Sequence, residues 1–218
     1  MKIGILGTGT VGDTIGTRLV GLGHEVMMGS RTPDNEKAKA FVTKNKEAKA
    51  GTFADAAAFG EIIFNCTNGA ASIDALKMAG EANLNDKIIV DVANPLDFSE
   101  GAPPSLIPFL SNTNSLGEEI QKTFPMTKVV KTLNTMWCGL MVDPTMINGG
   151  DHTNFVCGND DEAKLQVKSL LKEFGWKNEN LLDLGNISSA RGTEAVLPIW
   201  LRIWTATQNG AFNMKIVS

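Results

Sequence analysis

The chain has no tyrosine and only two histidines, His24 and His152. The groups that most often pass a proton to or from a carbonyl or an alcohol are therefore scarce. Its three cysteines, Cys66, Cys138 and Cys157, are odd in number, far apart and set among apolar residues. They read as free thiols of a reducing compartment, not as a disulfide framework. None has a Cys or His partner at ligand spacing, so no metal site is expected. No apolar run approaches the ~18 residues of a membrane span, and the first residues run straight into a strand-like segment, so the expectation is a cytoplasmic protein with no membrane partner. Basic charge is not in excess: 20 Lys and Arg face 24 Asp and Glu, a net charge of −4. That balance offers no electrostatic reason to bind nucleic acid or an anionic surface. Neither an internal repeat nor a low-complexity linker is present.

What the chain does have is 43% hydrophobic residues over 218 positions, enough for one substantial core and too little for two large domains. Apolar runs at Ile3–Leu6, Glu25–Gly29, Glu61–Asn65, Lys87–Asp91 and Lys128–Lys131 alternate with helical segments. This alternation predicts an α/β fold with a doubly wound, mostly parallel sheet. Capping boxes are expected at Ser115 with Glu118 and at Asn159 with Glu162. A Pro-, Ser- and Asn-rich stretch from Asn94 to Asn114 reads as a long loop leaving the sheet. A soft boundary falls near Asn134, dividing a nucleotide-binding part, residues 1–135, from an extension, residues 136–218, packed on it as one compact unit.

The most specific pattern is Gly7-Thr8-Gly9-Thr10-Val11-Gly12, directly behind the first strand. Val11, Ile15, Leu19 and Leu22 then repeat at helical spacing. In the βαβ dinucleotide fingerprint the first glycine makes the tight turn, the second admits the pyrophosphate to the backbone, and the third lets helix and strand pack closely. The pyrophosphate would face a helix N-terminus, whose free N–H groups and dipole offset its charge. The second strand ends in Ser30-Arg31-Thr32, not in the acid that would hold a ribose 2′-hydroxyl. Arginine and two hydroxyls suit a 2′-phosphate, so NADP(H) is expected over NAD(H). Lys37 is near enough to contribute, but it opens a series, Lys37, Lys39, Lys44, Lys46 and Lys49, that reads as a charged helix face.

Ligands of such sheets lie beyond the carboxyl ends of the strands. Thr67 and Asn68 follow the third apolar run and are placed for the pyrophosphate or ribose; Asn94 and Pro95 follow the fourth and Asn134 the fifth, toward the nicotinamide end. As turn formers, these Asn-Gly and Asn-Pro pairs also have an ordinary structural reading. Among proton-transfer groups, His24 lies in a surface turn, His152 after a Gly-Gly-Asp turn, and Lys131 at a strand end, where it is either an acid/base candidate or a solvated edge charge. With so few, the chemistry that fits best is hydride transfer between two planar cofactors, which alignment alone can carry far. An apolar floor for the second ring is available at Met136, Trp137 and Leu140 and in the run Val196 to Trp204. That run, apolar nearly all round with Arg202 as its one charge, belongs in a core, over a cofactor or against a second copy of the chain.

The opening MKIGILGTGTVG, the GSR at 29–31, the DVANP at 91–95, the VVKTLNT at 129–135 and the closing ARGTE and LPIWLRIW together resemble the NADPH-dependent F420 reductase family over nearly the whole chain. The cytoplasmic oxidoreductase domain of the STEAP ferric reductases looks like a relative. The resemblance implies a Rossmann-type domain with a small C-terminal part, and hydride transfer between NADP(H) and a deazaflavin without a dedicated acid or base. It assigns Gly7, Thr8, Gly9 and Gly12 to the phosphates, Ser30 and Arg31 to the 2′-phosphate, Thr67 and Asn68 to the loop beyond, and Asn94, Pro95 and Asn134 to the nicotinamide side. Trp137-Cys138 and the Trp-rich C-terminus depart from the deazaflavin pattern, which leaves coenzyme F420 and a flavin (FMN or FAD) open as acceptor. Three alternatives stand beside this reading: a noncatalytic NADP(H)-sensing module, a reductase of a small carbonyl or imine, and a 6-phosphogluconate or β-hydroxyacid type dehydrogenase. The last needs a larger helical domain than the residues after Asn134 supply.

Overall fold

The computed structural model describes residues 1–217. In chain order the elements are β1 (Lys2–Leu6), α1 (Thr10–Gly21), β2 (Glu25–Ser30), α2 (Glu36–Lys44), β3 (Lys49–Thr52), α3 (Phe53–Phe59), β4 (Ile62–Asn65), α4 (Ser72–Ala79), α5 (Glu81–Leu84) and β5 (Ile88–Asp91). There follow β6 (Leu96–Asp97), β7 (Ser105–Leu106), α6 (Leu116–Thr123), β8 (Lys128–Thr132), α7 (Cys138–Val142), β9 (Asn154–Gly158), α8 (Asp161–Glu173), β10 (Leu181–Asp183), α9 (Ala190–Ala195) and α10 (Leu197–Thr207).

Eight strands form one sheet in the order β10-β9-β8-β5-β4-β1-β2-β3. Every neighbouring pair is parallel except β8 and β9. The chain winds outward from β1 to β3 on one side and from β4 through β5 to β8 on the other. The order therefore reverses between β1 and β4, and a crevice opens at the carboxyl ends there. This is the doubly wound, Rossmann-type arrangement that the strand and helix alternation predicts.

The central strands are apolar on both faces, as a sheet covered twice must be. Ile3, Ile5, Ile62, Phe64, Val90 and Val130 face one core, shared with Ile15 and Leu19 of α1, Phe41 of α2, Leu140 of α7 and Val167 and Leu171 of α8. Leu6, Ile63, Ile89 and Val129 face the other, with Phe53 and Ala56 of α3, Leu76 of α4 and Ile120 of α6. No helix among the described residues is long and apolar enough to cross a membrane.

Several local expectations are corrected. The lysine series is not one helix face: α2 ends at Lys44, and Lys49 opens the edge strand β3. The loop after Asn94 carries a short antiparallel hairpin, β6 with β7. Asp160, not Asn159, caps α8, accepting from the Ala163 amide at 2.8 Å, while Asn159 accepts from Ile187. His24 is largely covered and pairs with Glu173 of α8 at 3.0 Å. His152 is 2% exposed, bonded through Nε2 to the Pro144 carbonyl at 2.9 Å and through Nδ1 to Asn213 at 2.7 Å, and it meets the Trp176 ring edge-on. It ties the C-terminal tail to the turn at Pro144.

Ser115 accepts from the Glu118 amide to cap α6, and Glu118 receives two hydrogen bonds from the Arg191 guanidinium at 2.6 and 2.8 Å, tying α6 to α9. Partial burial would raise the Glu118 carboxyl, but hydrogen bonds from Arg191 and Ser115 outweigh it and hold the group below its ordinary range. A carboxyl depressed by folding contributes stability above its unfolded value, lost as pH falls through the folded one. Glu118→Gln should therefore lower the urea midpoint at neutral pH, with the difference from the native chain vanishing below about pH 4. A pH-independent difference would show that the ion pair is not its source.

Candidate functional site

Two adjacent compartments lie along the carboxyl edge of the sheet. The first, about 700 Å³, opens over the glycine turn and the end of β2; the second, about 290 Å³, lies over β5 and β8 beneath α10. Cys66, Thr67 and Asn68 line both and form their shared wall.

The turn is built by backbone approach. Gly7 has φ +118°, and a Cβ there would sit 2.6 Å from the Cys66 carbonyl oxygen; one on Gly12 would sit 2.1 Å from that of Gly7. Gly9 is different: it is extended, caps α1 without a side-chain hydrogen bond, and a Cβ would meet nothing within 4 Å. The N–H groups opening α1 and the positive end of its dipole thus border open space, a setting that favours an anion. Gly7, Thr8 and Gly9 line the first compartment and Val11 the second. Thr10 is exposed and lines neither, so what it offers is its main chain.

Ser30 and Arg31 line the first compartment; Thr32 does not. The Ser30 hydroxyl donates to the Thr32 carbonyl at 2.5 Å, so it shapes the turn and offers a ligand only lone pairs. Arg31 is exposed, and Lys37, at the start of α2, shares the wall with it. Asn35 caps that helix through the Lys37 and Ala38 amides. The sequence left Lys37 on a helix face; its place in the wall follows from the turn that brings α2 back over the end of β2.

In the second compartment the amides engage one another. Asn94 Nδ2 donates to the Asn134 carbonyl at 2.8 Å, which fixes its amide orientation, and Asn134 Nδ2 then donates to Asn94 Oδ1 at 3.0 Å. Asn134 Oδ1 is left buried with no donor. Thr67 is bonded to Asn65 at 2.6 Å and to Ser72 at 2.9 Å, and Asn68 caps the turn before α4 by accepting from Ala70. Pro95 lies outside both compartments, its carbonyl accepting from Ile107 beside the β6 and β7 hairpin. Met136, Met141, Leu197, Trp200 and Leu201 make an apolar wall, and Phe212 stacks on Trp200 with centroids 5.2 Å apart. Trp137 instead packs over Gly139 and Gly210, and Leu140 belongs to the core.

Lys131 reaches neither compartment. Its side chain is fully buried, and Nζ bonds Asp91 Oδ2 at 2.8 Å, Glu194 Oε1 at 2.8 Å and the Ala93 carbonyl at 2.5 Å. All three protons are committed inside the protein, which corrects both the acid/base and the edge-charge expectations. Burial opposes its charge, but the two carboxylates outweigh that and raise its affinity for the proton. Cys66, in the shared wall, is pushed up by burial and stays a thiol; burial also pushes Cys157, beside Lys131, up to about 12. Sequence reading missed Asn65, Asp91 and Glu194, although each apolar strand run closing on a polar residue was a signal for the first two.

A parallel sheet with a glycine-bounded cradle at its switch point, a basic wall at the end of the second strand and an apolar ring-sized recess beyond defines a dinucleotide-dependent oxidoreductase. A family model described as NADP oxidoreductase, coenzyme F420-dependent, matches residues 2–95. The F420-dependent NADP reductase of Methanocaldococcus jannaschii is 30% identical over 210 residues, covering 91% of this chain and 90% of that protein. Metalloreductase STEAP3 of Rattus norvegicus is 31% identical over 209 residues, where the chain spans 38% of that protein's length. A crystal structure of a candidate F420-dependent NADP reductase from Arthrobacter sp. FB24 superimposes with a TM-score of 0.94 at 50% identity over the full length of both chains. The chain belongs to the F420-dependent NADP oxidoreductase family and is an NADP(H)-dependent oxidoreductase. The residues present fit that nucleotide: open space at Gly9, the basic side chains of Arg31 and Lys37 in the same compartment, and an unpartnered buried Asn134 oxygen in the next.

Two glycine substitutions separate the roles of the turn. Gly9→Val should cost no more than the ~1 kcal/mol of an apolar N-cap while weakening NADPH binding about tenfold or more, because its side chain fills the space above the turn. Gly12→Ala should cost about 2 kcal/mol of stability or more, because the added methyl collides with backbone. Calorimetry with and without NADPH checks both; equal stability losses would contradict the assignment.

Proposed function

We propose that the chain transfers hydride between NADPH and a planar redox cofactor, coenzyme F420 or a flavin, without a dedicated acid or base. The observation that carries this reading is the makeup of the second compartment: beside apolar side chains and amides its walls hold one hydroxyl, Thr67, already bonded to Asn65 and Ser72, and one thiol, Cys66, that burial keeps protonated, while Lys131 and His152 are both spent on internal hydrogen bonds. NADPH supplies the hydride when bound. The protein's part is to hold and to align. The start of α1 takes the pyrophosphate, Arg31 and Lys37 the 2′-phosphate, and the Asn94 and Asn134 pair borders the nicotinamide. Leu197, Trp200 and Leu201 give a second ring an apolar surface and keep water out. Proximity and orientation of two rings can supply most of the rate such a transfer needs. The names of the M. jannaschii and Arthrobacter relatives support F420 as acceptor, and that of STEAP3 supports a wider redox range.

Mixing the chain with NADPH and F420, then with FMN or FAD, and following nicotinamide absorbance tests the proposal. Oxidation by either acceptor is the expected result; tight NADPH binding with no oxidation would replace it with the sensing module. Arg31→Ala should weaken NADPH about tenfold while leaving NADH unchanged, as loss of a charge-assisted phosphate contact requires. Equal losses for both would remove Arg31 from the 2′-phosphate.

The reading also takes the exposed Ile199, Ile203 and Trp204 of α10 as a contact with a second copy of the chain, and the three free thiols as suited to the cytoplasm. Sedimentation of a monomer at micromolar concentration would remove the dimer.

A further inference from the structure

The strands β4 and β5 end on polar residues and β8 carries one next to its end, and the register sets these side by side: Asn65 opposite Asp91, and Asp91 opposite Lys131. All three are buried to 1% exposure or less, on the sheet face that carries Ile63, Ile89 and Val129. Such a row is costly unless every group is paired. Here the pairings run outward. Asn65 Nδ2 donates to Asp91 Oδ1 at 2.8 Å and its Oδ1 accepts from the Thr67 hydroxyl, holding the loop that forms the shared wall. Asp91 accepts from the Ala93 amide while Lys131 holds the Ala93 carbonyl, so the loop leading to Asn94 is gripped at both ends of one residue. On its third side Lys131 binds Glu194, which also accepts from the Leu116 and Gly117 amides at the start of α6. Glu194 lies three residues before Leu197, where α10 begins to cover the second compartment.

We infer that Lys131 is a positioning residue: with Asn65, Asp91 and Glu194 it locks three walls of the ring compartment to one another, and so sets where the nicotinamide lies without touching it. This rests on the NADP(H) site described above. The row's side chains bond the ring half of the groove and the wall it shares with the first compartment; the glycine turn and the Arg31 wall make no side-chain bond to it. Loss of the lock should therefore loosen the nicotinamide while sparing the adenosine end.

The test compares NADPH with adenosine 2′,5′-bisphosphate, which carries the phosphorylated adenosine end and no nicotinamide, on the full chain. Lys131→Met leaves two buried carboxylates facing each other and can fail to fold, so Asn65→Leu, which removes one arm of the lock and no charge, is measured beside it. In Asn65→Leu the bisphosphate should bind within about twofold of native, NADPH should weaken about tenfold, the scale on which supporting contacts act, and the fluorescence gain of the bound nicotinamide should be lost. A parallel weakening of both probes, or no change in either, would overturn the inference and leave the row as a plain stabiliser of the fold. A native chain that binds neither probe would instead overturn the NADP(H) site itself, and the inference with it.

Discussion

The structure depends on how closely backbone meets backbone at the carboxyl edge of the sheet. The Gly7 carbonyl occupies the space a side chain at 12 would need, and the Asn94 carbonyl occupies the space a side chain at 69 would need, 2.0 Å from where its Cβ would be. These contacts draw β1, α1 and the loops after β4 and β5 together, and the groove is what remains between them. Only Gly9 in this region faces open space. The same edge that is closely packed on two sides is open on the third, beside a helix terminus whose partial positive charge favours an anion.

Charge is distributed to match. In the first compartment it is cationic and near the surface, at Arg31 and Lys37, where the proposed 2′-phosphate would be met without desolvating the protein. In the second compartment it withdraws from the surface: Lys131 pairs with both Asp91 and Glu194 beneath the wall, and the compartment itself is lined by uncharged side chains. The proposed hydride transfer, with the proton of the reduced acceptor taken from solvent, suits such a lining. The absence of tyrosine and the retirement of both histidines into structural contacts follow the same economy.

The glycine turn, the five apolar strands and the doubly wound class were legible in sequence because each is a local pattern: a motif directly behind a strand, a run of β-branched residues, a helical repeat after it. Less visible was β3, an edge strand reading Lys-Ala-Gly-Thr, in which no apolar run marks the pairing with β2. The strands β9 and β10 were missed because one turns antiparallel to its neighbour and the other is three residues long. Long-range pairing was not legible at all. Nothing local joins Lys131 to Glu194, His152 to Asn213 or Trp200 to Phe212; folding alone makes these contacts, and they decide which polar groups remain free to meet a ligand.

A crystal structure of the chain with NADP⁺ bound tests the central claim most directly. The account predicts the 2′-phosphate between Arg31 and Lys37, the pyrophosphate over Gly9, and the nicotinamide between the Asn94 and Asn134 pair and Trp200, with one face open to the apolar wall. A nucleotide bound in the opposite sense, or a ring compartment filled by Trp200 and Leu201 themselves, would contradict it.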